Sequence, residues 1–135
     1  MKNDITIPEV KNVTIAVVRE KKNDPFQDEW KVYLINNNDF AIETTLVVSR
    51  GYGGEVDEHL KTSTLRHFLE TVPAHSSVPV ESIDFNVFHL NNEFWISCFI
   101  GHQIYDKRFV FVAGSICDEN LTFIKELNKE GVLHS

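Results

Sequence analysis

The densest group of residues able to do chemistry lies between positions 57 and 70, where Asp57, Glu58, His59, Arg66, His67 and Glu70 supply carboxylates, imidazoles and a guanidinium. A cation, a titratable ring and a carboxylate close in sequence can carry out acid-base chemistry if the fold brings them together. For Arg66, His67 and Glu70 that depends on the element carrying them. On a strand Arg66 and Glu70 share a face with Phe68 between them while His67 points the other way; on a helix Arg66 and Glu70 form an i,i+4 pair. His59 and His67 are the candidate metal ligands, but a loop and a strand start separate them, unlike the short ligand spacings of zinc sites. The plain alternative for both sets is an exposed ion pair and solvent-facing histidines.

Nucleophile and phosphate chemistry have thinner support. Cys98 sits between Ser97 and Phe99 in an apolar run, where a thiol is buried and inert. Cys117 precedes Asp118 near an expected helix start, where the helix dipole and the carboxylate pull its pKa in opposite directions. Gly51-Tyr52-Gly53-Gly54 follows a strand as phosphate loops do, yet no Gly-Lys-Ser or Gly-Lys-Thr completes it, so it reads as a flexible or bulged loop. The aromatics are a stronger theme. Trp95 and Phe99 share one face of a strand, and Phe109 and Phe111 share one face of its neighbour. Core is the first explanation, and an interaction surface formed by these four residues is the second.

The elements that must position these residues are mostly strands. Period-two alternation marks residues 12–20, 30–35 and 40–49, the last setting Phe40, Ile42, Thr44, Leu46 and Val48 against Ala41, Glu43, Thr45, Val47 and Ser49. The run ending at Pro25 separates the first two, and Asn36-Asn37-Asn38-Asp39 reads as a hairpin turn before the third. Residues 62–72 fit both periods and are assigned to a strand because threonine and serine residues open the stretch and Pro73 follows it. Pro79 places the strand over 78–83 at an edge or a bulge. Leu90-Asn91-Asn92-Glu93 reads as a second turn. Residues 94–100 and 103–112 flank Gly101-His102 as the clearest hairpin. In the tail, Asp118 as a cap, Leu121, Ile124 and Leu127 at helical spacing and Gly131 as a stop predict a short helix over 118–130. The expectation is an all-β chain, a single domain over 1–135, built as an antiparallel sandwich of about seven strands with a C-terminal helix; a closed barrel is the alternative.

Composition agrees with that class. Of 135 residues 42% are hydrophobic, with ten Phe and one Met, which favours pleated surfaces. Twenty acidic residues against thirteen basic ones give a formal charge of −7, so nucleic acid and anionic lipid are not expected partners. The cations Arg19, Lys21 and Lys22, and Lys107 and Arg108, are interrupted or preceded by acids and read as solvated faces. Two cysteines without chelating spacing, no apolar leader and no long apolar run imply a reduced, cytoplasmic setting, no membrane, no cofactor and folding without a disulfide.

The segments Trp30-Lys31-Val32-Tyr33-Leu34-Ile35-Asn36, Lys61-Thr62-Ser63-Thr64-Leu65-Arg66-His67-Phe68, Leu90-Asn91-Asn92-Glu93-Phe94-Trp95 and Ile104-Tyr105-Asp106-Lys107-Arg108-Phe109 resemble a family of small uncharacterised bacterial proteins. The resemblance covers most of the chain. It implies an immunoglobulin-like β-sandwich and supplies no catalytic motif. Some members are catalogued as a phenylalanyl-tRNA synthetase subunit, a label read here as a misnaming, because the chain is far too short for a synthetase catalytic domain and shows no ATP-binding arginine motif or basic tRNA surface.

The leading functional expectation is therefore a non-enzymatic binding or protein-interaction module with an unidentified protein partner. The alternative is a small metal-dependent or acid-base enzyme around His59, Arg66, His67 and Glu70. A third reading, resting on the catalogue name alone, is a translation-associated accessory protein. A homodimer is expected through a sheet edge or the 94–112 hairpin, which carries no proline and clusters its charges at Asp106-Lys107-Arg108.

Overall fold

The computed structural model describes residues 6–24, 28–53 and 59–134. The seven alternating segments form β1 (Val13–Glu20), β2 (Glu29–Asn36), β3 (Ile42–Tyr52), β4 (Leu65–Val72), β5 (Ser76–Ile83), β6 (Asn91–Ile100) and β7 (Gln103–Phe111). The ambiguous stretch before Pro73 is thus a strand. Two further strands follow, β8 (Thr122–Ile124) and β9 (Lys129–His134), and no α-helix occurs among the described residues. All nine lie in two antiparallel sheets, one ordered β5-β2-β1-β9-β8 and the other β4-β3-β6-β7.

Alternation delivers one face of each sheet to a shared core. Val13, Ile15, Val17, Val32 and Leu34 come from the five-stranded sheet, and Val47, Phe94, Ile96, Cys98, Phe109 and Phe111 from the four-stranded one. Each large apolar side chain buried there contributes about 1.5–3 kcal/mol. The opposite face of β1 is apolar too. Ala16 and Val18 join Ile35 and Ile124 in a second cluster on the outside of the five-stranded sheet, with Tyr33 and Leu127 packed against it.

The expected C-terminal helix over 118–130 is replaced by a strand hairpin. Residues Asp118–Asn120 make one 3-10 turn, and β8 then pairs with β9 through Ile124 opposite Lys129. The helical spacing of Leu121, Ile124 and Leu127 has another origin. Leu121 packs against the main core while Ile124 and Leu127 belong to the second cluster, and Leu127 lies in the connecting turn with its N–H donated to the Ile124 carbonyl at 3.1 Å. Gly131 does not end a helix; it sits inside β9 opposite Val18. A Cβ there would lie 2.7 Å from the Val17 carbonyl oxygen, so only glycine lets β9 approach β1 this closely.

Both expected asparagine turns also differ. Asn36 ends β2 where the chain leaves one sheet for the other, so it is a crossover corner and not a hairpin. Its buried side-chain amide shares its two N–H donors among the carbonyls of Phe40, Val72 and Pro73 at 3.0–3.2 Å, and its Oδ1 accepts from the Asn38 N–H at 3.1 Å, tying the corner to the end of β4. Asn91, Asn92 and Glu93 belong to β6, with the preceding turn at Phe88 to Leu90. Pro79 fits both parts of its expectation, since β5 is an edge strand and its register with β2 shifts beside Tyr33.

A bulge in β3 decides which residues face outward. Thr44 has a positive φ of 50°, and the register shifts between Ile42 and Thr45. One irregular residue inverts the alternation. Ile42 is buried as its pattern implies, but beyond the bulge the buried residues are Thr45, Val47 and Ser49, and Leu46 and Val48 turn to the other face.

Candidate functional site

Residues directly opposite one another in an antiparallel pair share a face, so register maps the outer surface of the four-stranded sheet row by row. One row runs Arg66–Val48–Trp95–Arg108 across β4, β3, β6 and β7, and the row beside it runs Arg50–Glu93–Val110. On the other side of Trp95 lies Phe68–Leu46–Ser97–Asp106. Trp95 is 44% exposed and Phe68 60% exposed, which is unusual for side chains of this size. The two-residue connection Gly101-His102, with Gly101 at φ 61°, holds the β6–β7 register that sets Arg108 opposite Trp95.

Glu93 organises the cationic side of this surface. It is only 3% exposed although it lies on the outer face, because two arginines cover it. Arg50 Nε donates to Oε2 at 2.7 Å and Arg108 Nε donates to Oε1. Arg108 Nη2 also donates to the Tyr52 hydroxyl at 3.1 Å, and the Arg50 guanidinium lies 5.3 Å from the Tyr52 ring centroid. Burial alone would raise the Glu93 pKa, but hydrogen bonds from the two arginines, reinforced by their charges, hold it below the ordinary carboxylate value. The hydrogen bond to Glu93 raises the pKa of Arg108 in turn.

A second polar constellation lies between the sheets. A cleft of about 310 Å³, lined by residues including Ser49, Arg50, Thr62, Glu81, Asp84 and Asn92, opens where the edges of β4 and β5 meet. Inside it Glu81 Oε1 accepts from the Ser49 hydroxyl at 2.6 Å and lies 3.0 Å from His67 Nε2. Nucleophilic catalysis by a serine requires the base to touch the hydroxyl and be oriented from behind. Here the carboxylate stands between serine and histidine, and both contacts join the four-stranded sheet to the five-stranded one. The arrangement is a tie between sheets.

The four residues of the enzymatic expectation do not converge. His67 points inward to Glu81, Arg66 lies in the outward row with Trp95, Glu70 sits past a second irregularity opposite Thr45 with a φ of 58°, and His59 is exposed in the segment before β4. Among the described residues no group of three or more His, Cys, Asp and Glu is placed to hold a metal ion; Gly54, Asp57 and Glu58, like Pro25, lie outside those residues. The Cys98 thiol is in the core, where burial, and secondarily Asp106, push its pKa up to about 11. Cys117 heads the 3-10 turn and is half-buried. No helix among the described residues is long and apolar enough to cross a membrane.

The aromatic set divides between two faces. Trp95 is outward and Phe99, of the same parity, is half-buried, whereas Phe109 and Phe111 are core residues and take no part in a surface. The register accounts for this, since Phe109 lies opposite Phe94 and Phe111 stacks edge-on against Phe94 with ring centroids 5.9 Å apart. The residues missing from the sequence reading are Arg50, Tyr52 and Glu93. A two-residue loop at Gly101-His102 already places Arg108 opposite Trp95, but the pairing of β3 with β6 that adds Arg50 has no local signal. Compared with protein-family models, curated proteins and solved structures, the chain matches none.

Proposed function

We propose that the chain is a non-enzymatic binding module on an immunoglobulin-like sandwich, and that it presents the outer face of the four-stranded sheet to a protein partner. The observation that carries this reading is Trp95, a half-exposed indole on an inner strand of the four-stranded sheet, flanked in its row by Val48 and Arg108. Tryptophan and arginine dominate binding energy at protein interfaces because each offers a large contact area together with directional polar groups. The immunoglobulin-like assignment is supported by two antiparallel sheets around one core and by the resemblance carried by the Trp30 to Asn36 and Leu90 to Trp95 segments.

Selection from a displayed random-peptide library, using wild type and Trp95→Ala in parallel, tests the reading. Enriched peptides should bind wild type and fail on Trp95→Ala while both proteins unfold at similar temperatures. Binders indifferent to Trp95 would contradict it.

A further inference from the structure

We infer that the segment received by this face is acidic, with a carboxylate set against Arg50, Arg66 and Arg108 and an apolar side chain lying on Trp95 and Val48. The inference rests on the reading of the Trp95 face as the binding face. Its argument is charge complementarity. In the row of Trp95 and the rows on either side of it, Arg50, Arg66 and Arg108 outnumber the two carboxylates, Glu93 and Asp106, although the chain as a whole carries a formal charge of −7.

Of the two, Glu93 is the one set among the arginines, and it is already occupied. Glu93 takes the Nε–H of Arg50 and of Arg108, and Tyr52 takes one further N–H from Arg108. A guanidinium has five N–H donors, so most of this capacity stays open to a ligand. The two side chains are 52% and 48% exposed. Arg66 is exposed as well, and its side chain makes no hydrogen bond or ion pair among the described residues. Because Glu93 and Tyr52 hold two of these guanidiniums in place before anything binds, less side-chain entropy is lost when an anion arrives. Arginine forks match carboxylate geometry, which favours two-point contacts.

Apolar residues narrow the class. Val48 lies opposite Trp95, and Leu46 and Phe68 continue the apolar surface in the neighbouring row across β3 and β4, so the complementary segment combines Asp or Glu with aliphatic or aromatic side chains. A long polyanion such as nucleic acid would meet the negative field of the rest of the molecule, whereas a short acidic peptide touches only this patch.

The experiment uses the displayed random-peptide library on three proteins: wild type, Trp95→Ala and Arg66→Glu. Arg66→Glu should unfold like wild type because the Arg66 side chain is exposed and, among the described residues, makes no hydrogen bond or ion pair. Enriched peptides are expected to carry Asp or Glu beside apolar residues. Their synthetic forms should lose about tenfold or more in affinity on Arg66→Glu, and weaken when Asp and Glu are replaced by Asn and Gln. Binders that need Trp95 but lack acids, or that ignore Arg66→Glu, would overturn the acidic occupant and leave the binding face standing. An absence of Trp95-dependent binders would overturn both. A Trp95-dependent dimer in light scattering would assign the face to a second copy, and Trp95-dependent capture of a single-stranded oligonucleotide would assign it to a polyanion; either result overturns the inference.

Discussion

The outer faces of the two sheets have been treated in opposite ways. On the five-stranded sheet Ala16, Val18 and Ile35 are covered by Ile124 and Leu127, so the C-terminal hairpin shields most of this apolar surface and leaves Leu133, opposite Ala16, exposed at its margin. On the four-stranded sheet Trp95 and Phe68 stay exposed, and the neighbouring carboxylate is buried under two arginines. An apolar sheet face has to be covered by something. The first face is covered mainly by this chain, and the proposed function assigns the cover of the second to a partner.

Substitutions along β6 sharpen that contrast most strongly. Phe94→Ala, on the core face, should cost about 3–5 kcal/mol, whereas Trp95→Ala, one residue away on the outer face, should cost about 1 kcal/mol or less; urea unfolding measures both. Equal losses would mean that Trp95 is a structural residue. Next in size is Ile124→Ala, which should destabilise by at least about 2 kcal/mol and increase binding of a hydrophobic dye by uncovering Ala16 and Val18. An unchanged dye signal would break the comparison from the covered side.

Glu93→Gln should cost about 1.5–3 kcal/mol, because two charge-assisted hydrogen bonds lose their anion. It also changes the acid limb of stability. The folded pKa of Glu93 lies below the ordinary value of 4.5, so its contribution is complete above that value and disappears as pH falls through the depressed one. Wild type should therefore lose stability more steeply than Glu93→Gln in that window, and parallel curves from unfolding at a series of pH values would show that Glu93 contributes nothing there. The smallest effect is expected for Ser49→Ala, about 1 kcal/mol, since it removes one hydrogen bond between the sheets. A larger loss would make the cleft, not the outer face, the site that the fold is built around.

Most strands were legible because alternation is a local property, and residues 13–20, 30–35 and 94–111 carry it without interruption. The C-terminal segment imitates a helix in sequence because a strand, a turn and two separate clusters place Leu121, Ile124 and Leu127 at helical spacing. The face inversion in β3 escaped detection because Thr44 adopts a positive φ that threonine rarely takes, and nothing in its neighbours signals this. The site was half legible. Parity separates Trp95 from Phe94 without saying which of the two faces outward, so core is the first expectation for an indole there and its exposure is a finding of the structure; its neighbour Arg108 follows from the loop length at Gly101-His102. Arg50 and the contact between Ser49, Glu81 and His67 depend on pairings between distant segments, which periodicity does not encode.

The most direct measurement is tryptophan fluorescence of a Trp30→Phe variant, in which Trp95 is the only indole. The free protein should show a red-shifted emission readily quenched by acrylamide, and a library-selected acidic peptide should shift the emission to the blue and protect it from quenching. An indole already protected in the free monomer, or one unaffected when the peptide binds, would contradict the assignment of this face as the binding surface.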